Sequence, residues 1–273
     1  MIHTENSTTE LNQEPRLPIL ALLHPRGRTW LIIGLLVAGV LWWCAAVWLL
    51  RTPVWVASAS VLGALLLPGT LKWRDDLRRF GPTVMVLSVL LAAQGFHTIE
   101  HISQVVQFHL LKWPPFASSG LISAANAEWI HFTWNWAVVL AAAYLVRGGM
   151  RSVWAWLLLA WATAHALEHA YLFARYLDMR AELARLGFPA LSAQGLPGVF
   201  GRDGWLAKSD ATQGTFLCRL PGLTTATRID VHFWWNIGEI VLLLAAAHVF
   251  LRTRLRLDNG HAIAPISITA DRV

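Results

Sequence analysis

Charge is what this sequence has least of. Only 14% of its 273 residues are charged, against 56% hydrophobic, and the mean hydropathy is +0.48. A soluble domain of this length needs far more charge to cover its surface, so the composition excludes that class and points to a membrane protein. Cysteine is almost absent too. Cys44 falls in the first apolar run and Cys218 in a long polar link, at depths that argue against a mutual disulfide. Neither has a neighbouring thiol, which disfavours a thiolate metal site. No dense basic stripe accompanies the formal charge of +6; the arginines and lysines are scattered at the ends of apolar runs, so the balance does not indicate nucleic-acid binding.

What the sequence has instead is apolar windows of about 20 residues, each long enough to cross a hydrocarbon core. Six stand out, near 30–50, 54–71, 83–106, 129–146, 153–171 and 231–251. The second is interrupted by Pro68 and Gly69, residues that membrane helices tolerate. The expected fold is an all-α, polytopic membrane bundle of about six transmembrane helices. The first apolar run is too long for a cleaved secretory signal and lacks its small-residue site, so it reads as an uncleaved anchor.

Cytoplasmic segments collect Lys and Arg, and the basic residues suggest an orientation. Arg16, Arg26 and Arg28 precede the first window, Lys72, Arg74, Arg78 and Arg79 follow the second, and Arg147 and Arg151 follow the fourth; Arg252, Arg254, Arg256 and Arg272 follow the last. The intervening short links hold only Arg51 and Lys112. Both termini are therefore expected to be cytoplasmic.

The polar residues inside the windows fall into a repeated pattern. His97-Thr98-Ile99-Glu100-His101 in the third window is followed by His131-Phe132-Thr133-Trp134-Asn135 in the fourth. His165-Ala166-Leu167-Glu168-His169 in the fifth is followed by His232-Phe233-Trp234-Trp235-Asn236 in the sixth. HxxEH then HFxWN occurs twice in the same order and takes six of the 11 histidines, which reads as a duplication. The span from His165 to His232 is about twice that from His97 to His131, so the second copy carries an insertion. The expected plan is a tail at 1–28, peripheral helices at 29–82, a first repeat at 83–150, a second at 151–251 with a long extracytoplasmic link at 172–230, and a tail at 252–273.

Residues three and four apart share a helical face. His97, Glu100 and His101 therefore form one polar surface, as do His165, Glu168 and His169. His131 pairs with Asn135 and His232 with Asn236, with Glu239 seven residues further on. In the expected topology the HxxEH motifs lie late in outward helices and the HFxWN motifs early in inward ones. All four then meet in the outer half of the bilayer, in a four-helix core with pseudo-twofold symmetry about the membrane normal.

A lone histidine such as His109 or His248 is read as structural. The grouped ones differ, because six imidazoles and several carboxylates inside an apolar bundle are expensive without a cation. His97, Glu100, His101, His131, His165, Glu168, His169 and His232 are the candidate ligands. Glu100, Glu168 and Glu239 are candidate proton-transfer groups, Asn135 and Asn236 candidate positioning groups, and Trp134 and Trp235 candidate walls. The donors suit two transition-metal ions, with iron or copper favoured and zinc as the alternative; missing Cys or Met pairs argue against a copper(I) thioether site. HxxEH resembles the zinc motif of the inverzincin metalloproteases, where two histidines bind zinc and the glutamate acts as base. The three-residue His/Glu spacing is similar to that of di-iron carboxylate bundles with its order reversed.

The leading expectation is an oxidoreductase of oxygenase or hydroxylase type, acting on a small or lipid-like substrate with an electron donor. A zinc-dependent membrane hydrolase is the alternative. A metal carrier or sensor, a bis-histidine haem protein and a transporter rank lower. The long link, with Arg175, Asp178, Arg180, Glu182 and Arg185 at helical spacing and then a Gly/Pro-rich stretch, suits a lid; Arg202, Asp203 and Lys208 are its candidate contacts.

Overall fold

In the computed structural model, residues 18–24, 28–123 and 127–260 are described, with the side chains of 21 and 255–260 excepted. The expected tail positions of Arg16, Arg26, Arg256 and Arg272 lie outside the described residues or side chains. Among the described residues the chain is all-helical: α1 (Pro18–Leu23), α2 (Thr29–Cys44), α3 (Val54–Val105), α4 (Glu128–Arg147), α5 (Val153–Arg185), α6 (Trp205–Lys208) and α7 (Arg228–Gly260). Part of the polar leader is thus a helix, and it lies against α7 with Leu22 buried in the core.

Among the described residues, four segments are long and apolar enough to cross a membrane: Thr29–Leu49, Val54–Leu110, Glu128–Arg147 and Arg228–Arg254. The 33-residue α5 is not among them, because its two histidines, its glutamate and its tryptophans lower the hydropathy of its apolar stretch. The second segment merges two of the expected windows. The basic link between them is helical, since Pro68 is accommodated and Asp75 and Asp76 neutralise neighbouring cations. Asp75 pairs with Arg28 at 2.6 Å and Asp76 with Lys72.

The chain breaks later than expected, at Gly81 (φ 81°, ψ 178°) before Pro82. Only glycine adopts that conformation without strain, and the residue before proline is pushed out of the helical region. The break is a reversal. Lys72 Nζ bonds Ser88 Oγ at 2.8 Å, whereas residues 16 apart on a straight helix are about 24 Å apart. The two halves of α3 therefore fold back on one another.

The second half of α3, α4, α5 and α7 form a closed ring, in which α3 packs on α4, α4 on α5, α5 on α7 and α7 on α3. α2 packs chiefly on α3 and has no buried residue in its α-helical turns. The bundle has two layers. One is apolar, built from Leu87, Leu90, Val138, Leu145, Leu158, Leu243 and Phe250 with the fully buried alanines 142, 155, 162 and 246 between them. Lipid supplies no hydrophobic drive between helices, so small residues that let backbones approach provide the packing. The second layer is polar and holds the histidine motifs. α3 and α5 pass from apolar to polar along the chain, and α4 and α7 pass from polar to apolar, so the motifs share one end of the bundle.

Gly81→Ala is expected to lower the thermal midpoint in detergent, since an alanine there carries about 1–3 kcal/mol of backbone strain. An unchanged midpoint would place the reversal elsewhere.

Candidate metal centre

The six motif histidines form one connected cluster. Ring centroids lie 4.7 Å apart for His97–His101, 5.6 Å for His97–His131 and 5.9 Å for His101–His131. In the other half His165–His169 is 4.9 Å and His169–His232 is 5.0 Å. Two contacts join the halves in matched positions, His131–His169 at 5.2 Å and His232–His101 at 6.1 Å, and His131 meets His232 at 6.3 Å. One ring nitrogen each from His97, His101 and His131 fall within 4.8 Å of one another, close enough for a single ion.

Five of these rings are buried and His97 is half-buried. Buried polar atoms ordinarily have partners, yet Nε2 of His97, His101 and His165 and both ring nitrogens of His169 have none among the described residues. For His101 and His165 the opposite nitrogen shows why the atom is available, and His232 is held in the same way. His101 Nδ1 donates to Gln104 Oε1 at 2.9 Å, His165 Nδ1 to Glu239 Oε1 at 2.9 Å and His232 Nδ1 to the Arg228 carbonyl at 2.8 Å. An imidazole whose N–H is so engaged turns its other nitrogen's lone pair outward, the arrangement typical of metal-bound histidine.

Glu239 is more than a local partner. It also accepts from Gln94 Nε2, and Gln94 Oε1 accepts from Trp134 Nε1 at 3.3 Å. Trp134 lies 5.3 Å from His97, and Trp235 stacks on His165 at 5.2 Å with the planes 5° apart. A buried chain from Trp134 through Gln94 and Glu239 to His165 thus ties the two halves together. Asn135 and Asn236 donate to the carbonyls of His131 and His232 at 2.8 and 2.9 Å. Each leaves Oδ1 buried without a partner among the described residues.

The HxxEH glutamates go elsewhere. Glu100 accepts the backbone N–H groups of Leu121 (2.8 Å) and Ile122 (2.9 Å), and Glu168 those of Val199 (3.0 Å) and Phe200 (3.4 Å). Both carboxylates face loops, and only Glu168 Oε2 lacks a partner among the described residues.

Above the cluster lies a cavity of about 740 Å³, the size of small-molecule sites, onto which His101, His131 and His232 open. Its walls include Phe108, Phe116 and Ile229 on the apolar side and Ser118, Gln194 and Thr227 on the polar side. Arg228 bonds Glu128 at 2.6 Å and the Leu196 carbonyl, holding the long link across the starts of α4 and α7. Arg202 and Asp203 of that link line the cavity and pair at 3.3 Å; Lys208 does not line it.

Sequence reasoning missed Gln94, Gln104 and Arg228. Gln94 and Gln104 sit three residues from a motif histidine and Arg228 four before one, a spacing that could have singled them out. No family model, curated protein or solved structure matches the chain.

Glu239→Ala leaves Gln94 and His165 without their buried acceptor, at a cost of about 1–3 kcal/mol for each group. The expected result is a lower thermal midpoint and a roughly 10–100-fold loss of metal affinity, read by titration of the purified protein. Unchanged affinity would mean that His165 is oriented by packing alone.

Proposed function

We propose that this chain is a multi-pass membrane metalloprotein. In this reading it holds two transition-metal ions between duplicated HxxEH and HFxWN helices, one at His97, His101 and His131 and one at His165, His169 and His232. The observation that supports the reading is the set of buried ring nitrogens of His97, His101, His165 and His169 without a partner among the described residues, beside the rings of His131 and His232, with His97, His101 and His131 close enough for one ion. Six passes follow if the folded-back halves of α3 cross separately and α5 crosses as well. The charge placement then puts both termini in the cytoplasm and the cluster in the outer half of the bilayer.

Because both HxxEH carboxylates engage loops, the available donors are mainly imidazole nitrogens. That set suits copper better than the harder, carboxylate-rich iron sites, with zinc as the redox-inert competitor. A pair of one-electron ions beneath a cavity fits the two-electron oxidation or reduction of a small molecule. In an oxidation dioxygen takes up the two electrons with two protons, leaving as hydrogen peroxide; in a reduction an external electron donor supplies them. The cavity's walls mix apolar side chains with polar ones from the helix ends and the loops, which suits a small substrate with both apolar and polar parts. A zinc hydrolase is the second reading, favoured by Glu168 Oε2, a buried carboxylate oxygen able to serve as base to a metal-bound water.

Elemental analysis and electron paramagnetic resonance of the purified protein test the proposal. Two redox-active ions per chain are expected, with one lost in His97→Ala and one in His165→Ala. Zinc alone, with hydrolysis lost in Glu168→Gln, favours the second reading; no bound metal overturns both.

A further inference from the structure

Spacing alone lets Glu100 and Glu168 act as ligands or bases. The geometry points to a different role, and we infer that both are positioning residues that clamp the two outer loops, the walls of the cavity, onto the helices carrying the histidines. The inference rests on the metal-centre reading for its functional meaning, but the clamp itself stands on the hydrogen bonds.

Two loops of unlike sequence and length make the same contact. In each, a glycine is followed by two residues whose backbone N–H groups point at the glutamate: Gly120, Leu121 and Ile122 to Glu100, and Gly198, Val199 and Phe200 to Glu168. Each glycine lies so close to the carboxylate that an added Cβ would overlap it, and Gly120 also has a positive φ of 76°. Hydrogen bonds from backbone N–H to an ionised carboxylate are among the strong ones, and such oriented amides form an anion-holding concavity.

The first loop is held a second time. Gln107, seven residues after Glu100 and so on the same face of the helix end, accepts from Gly120 N at 2.8 Å and donates to Gly120 O at 3.0 Å. The clamped loops supply cavity wall, Pro115, Phe116 and Ser118 from one and Gln194, Arg202 and Asp203 from the other. The residue after each glutamate is a cluster histidine, His101 or His169. HxxEH thus reads as two ligands with a clamp between them, fixing the roof of the cavity relative to its floor.

The two clamps differ in a way that makes the inference testable. Glu100 uses one oxygen for each N–H, whereas a single oxygen of Glu168 takes both. Glu168→Gln can keep both bonds through its amide oxygen. Glu100→Gln must set an NH2 group against a backbone N–H.

The experiment uses the full chain in detergent, loaded with Co2+, with hydrogen–deuterium exchange at the four loop amides. Glu100→Gln and Glu168→Gln are expected to keep the parent cobalt stoichiometry and ligand-field spectrum. Exchange at 121–122 should rise about tenfold or more in Glu100→Gln, from the loss of a bond to a charged group. Chelator removal of cobalt should accelerate with it. Exchange at 199–200 should stay within about twofold in Glu168→Gln and rise in Glu168→Ala.

A shifted spectrum or lost cobalt in Glu168→Gln would make the carboxylate a ligand and overturn the inference. Unchanged exchange in Glu100→Gln would overturn it as well. If the parent protein binds no cobalt, the metal reading fails, while the exchange pattern still decides the clamp.

Discussion

Polar groups buried in an apolar bundle must find partners, because lipid offers none and each unpaired group costs several kcal/mol (about 2–7 on transfer scales). That constraint organises this molecule. One end of the four-helix ring is filled by alanine, leucine and phenylalanine. The other contains six imidazoles, the carboxylates of Glu100, Glu128, Glu168 and Glu239, and the carboxamides of Gln94, Gln104, Asn135 and Asn236. Most of the carboxylate and carboxamide atoms have partners: Glu239 has Gln94 and His165, Glu100 two backbone amides, and each asparagine the carbonyl four residues before it. The outward ring nitrogens are the main exception. Those unpartnered nitrogens are what the metal proposal accounts for.

The two halves of the cluster are alike in outline and unequal in detail. Trp134 lies by His97 and Trp235 by His165, and each asparagine makes the same bond. Among the described residues only the second half has a carboxylate bonded behind a cluster histidine: Glu239 lies seven residues after His232, where Val138 lies seven after His131. An imidazole backed by a carboxylate is the more basic ligand, so under the two-ion proposal the two halves should differ in affinity and potential. The chain from His165 through Glu239 and Gln94 to Trp134, which lies against His97, crosses between the halves.

Much of this was readable from residues. Each apolar window lies in a helix, two of them within the single segment Val54–Leu110, because a long apolar run satisfies its own backbone hydrogen bonds as a helix. The histidine groups are faces, because three- and four-residue spacings align on a helix. The helical basic link was not readable: the aspartates that sustain it act through Arg28, far away in sequence, and through Lys72. The role of Glu100 and Glu168 was hidden for a deeper reason. Their partners are backbone amides, which every residue possesses, and only the fold of a distant loop aims them. Gly120 and Gly198 are the sequence trace of that aim, and a glycine has too many uses to be read alone.

X-ray absorption at the metal edge of the purified protein tests the central claim most directly. The account predicts a shell of nitrogen at about 2.0–2.1 Å with the outer scattering of imidazole, and a second metal within about 4 Å. A shell containing sulfur, one dominated by carboxylate oxygen, or the fourfold pyrrole pattern of haem would contradict it.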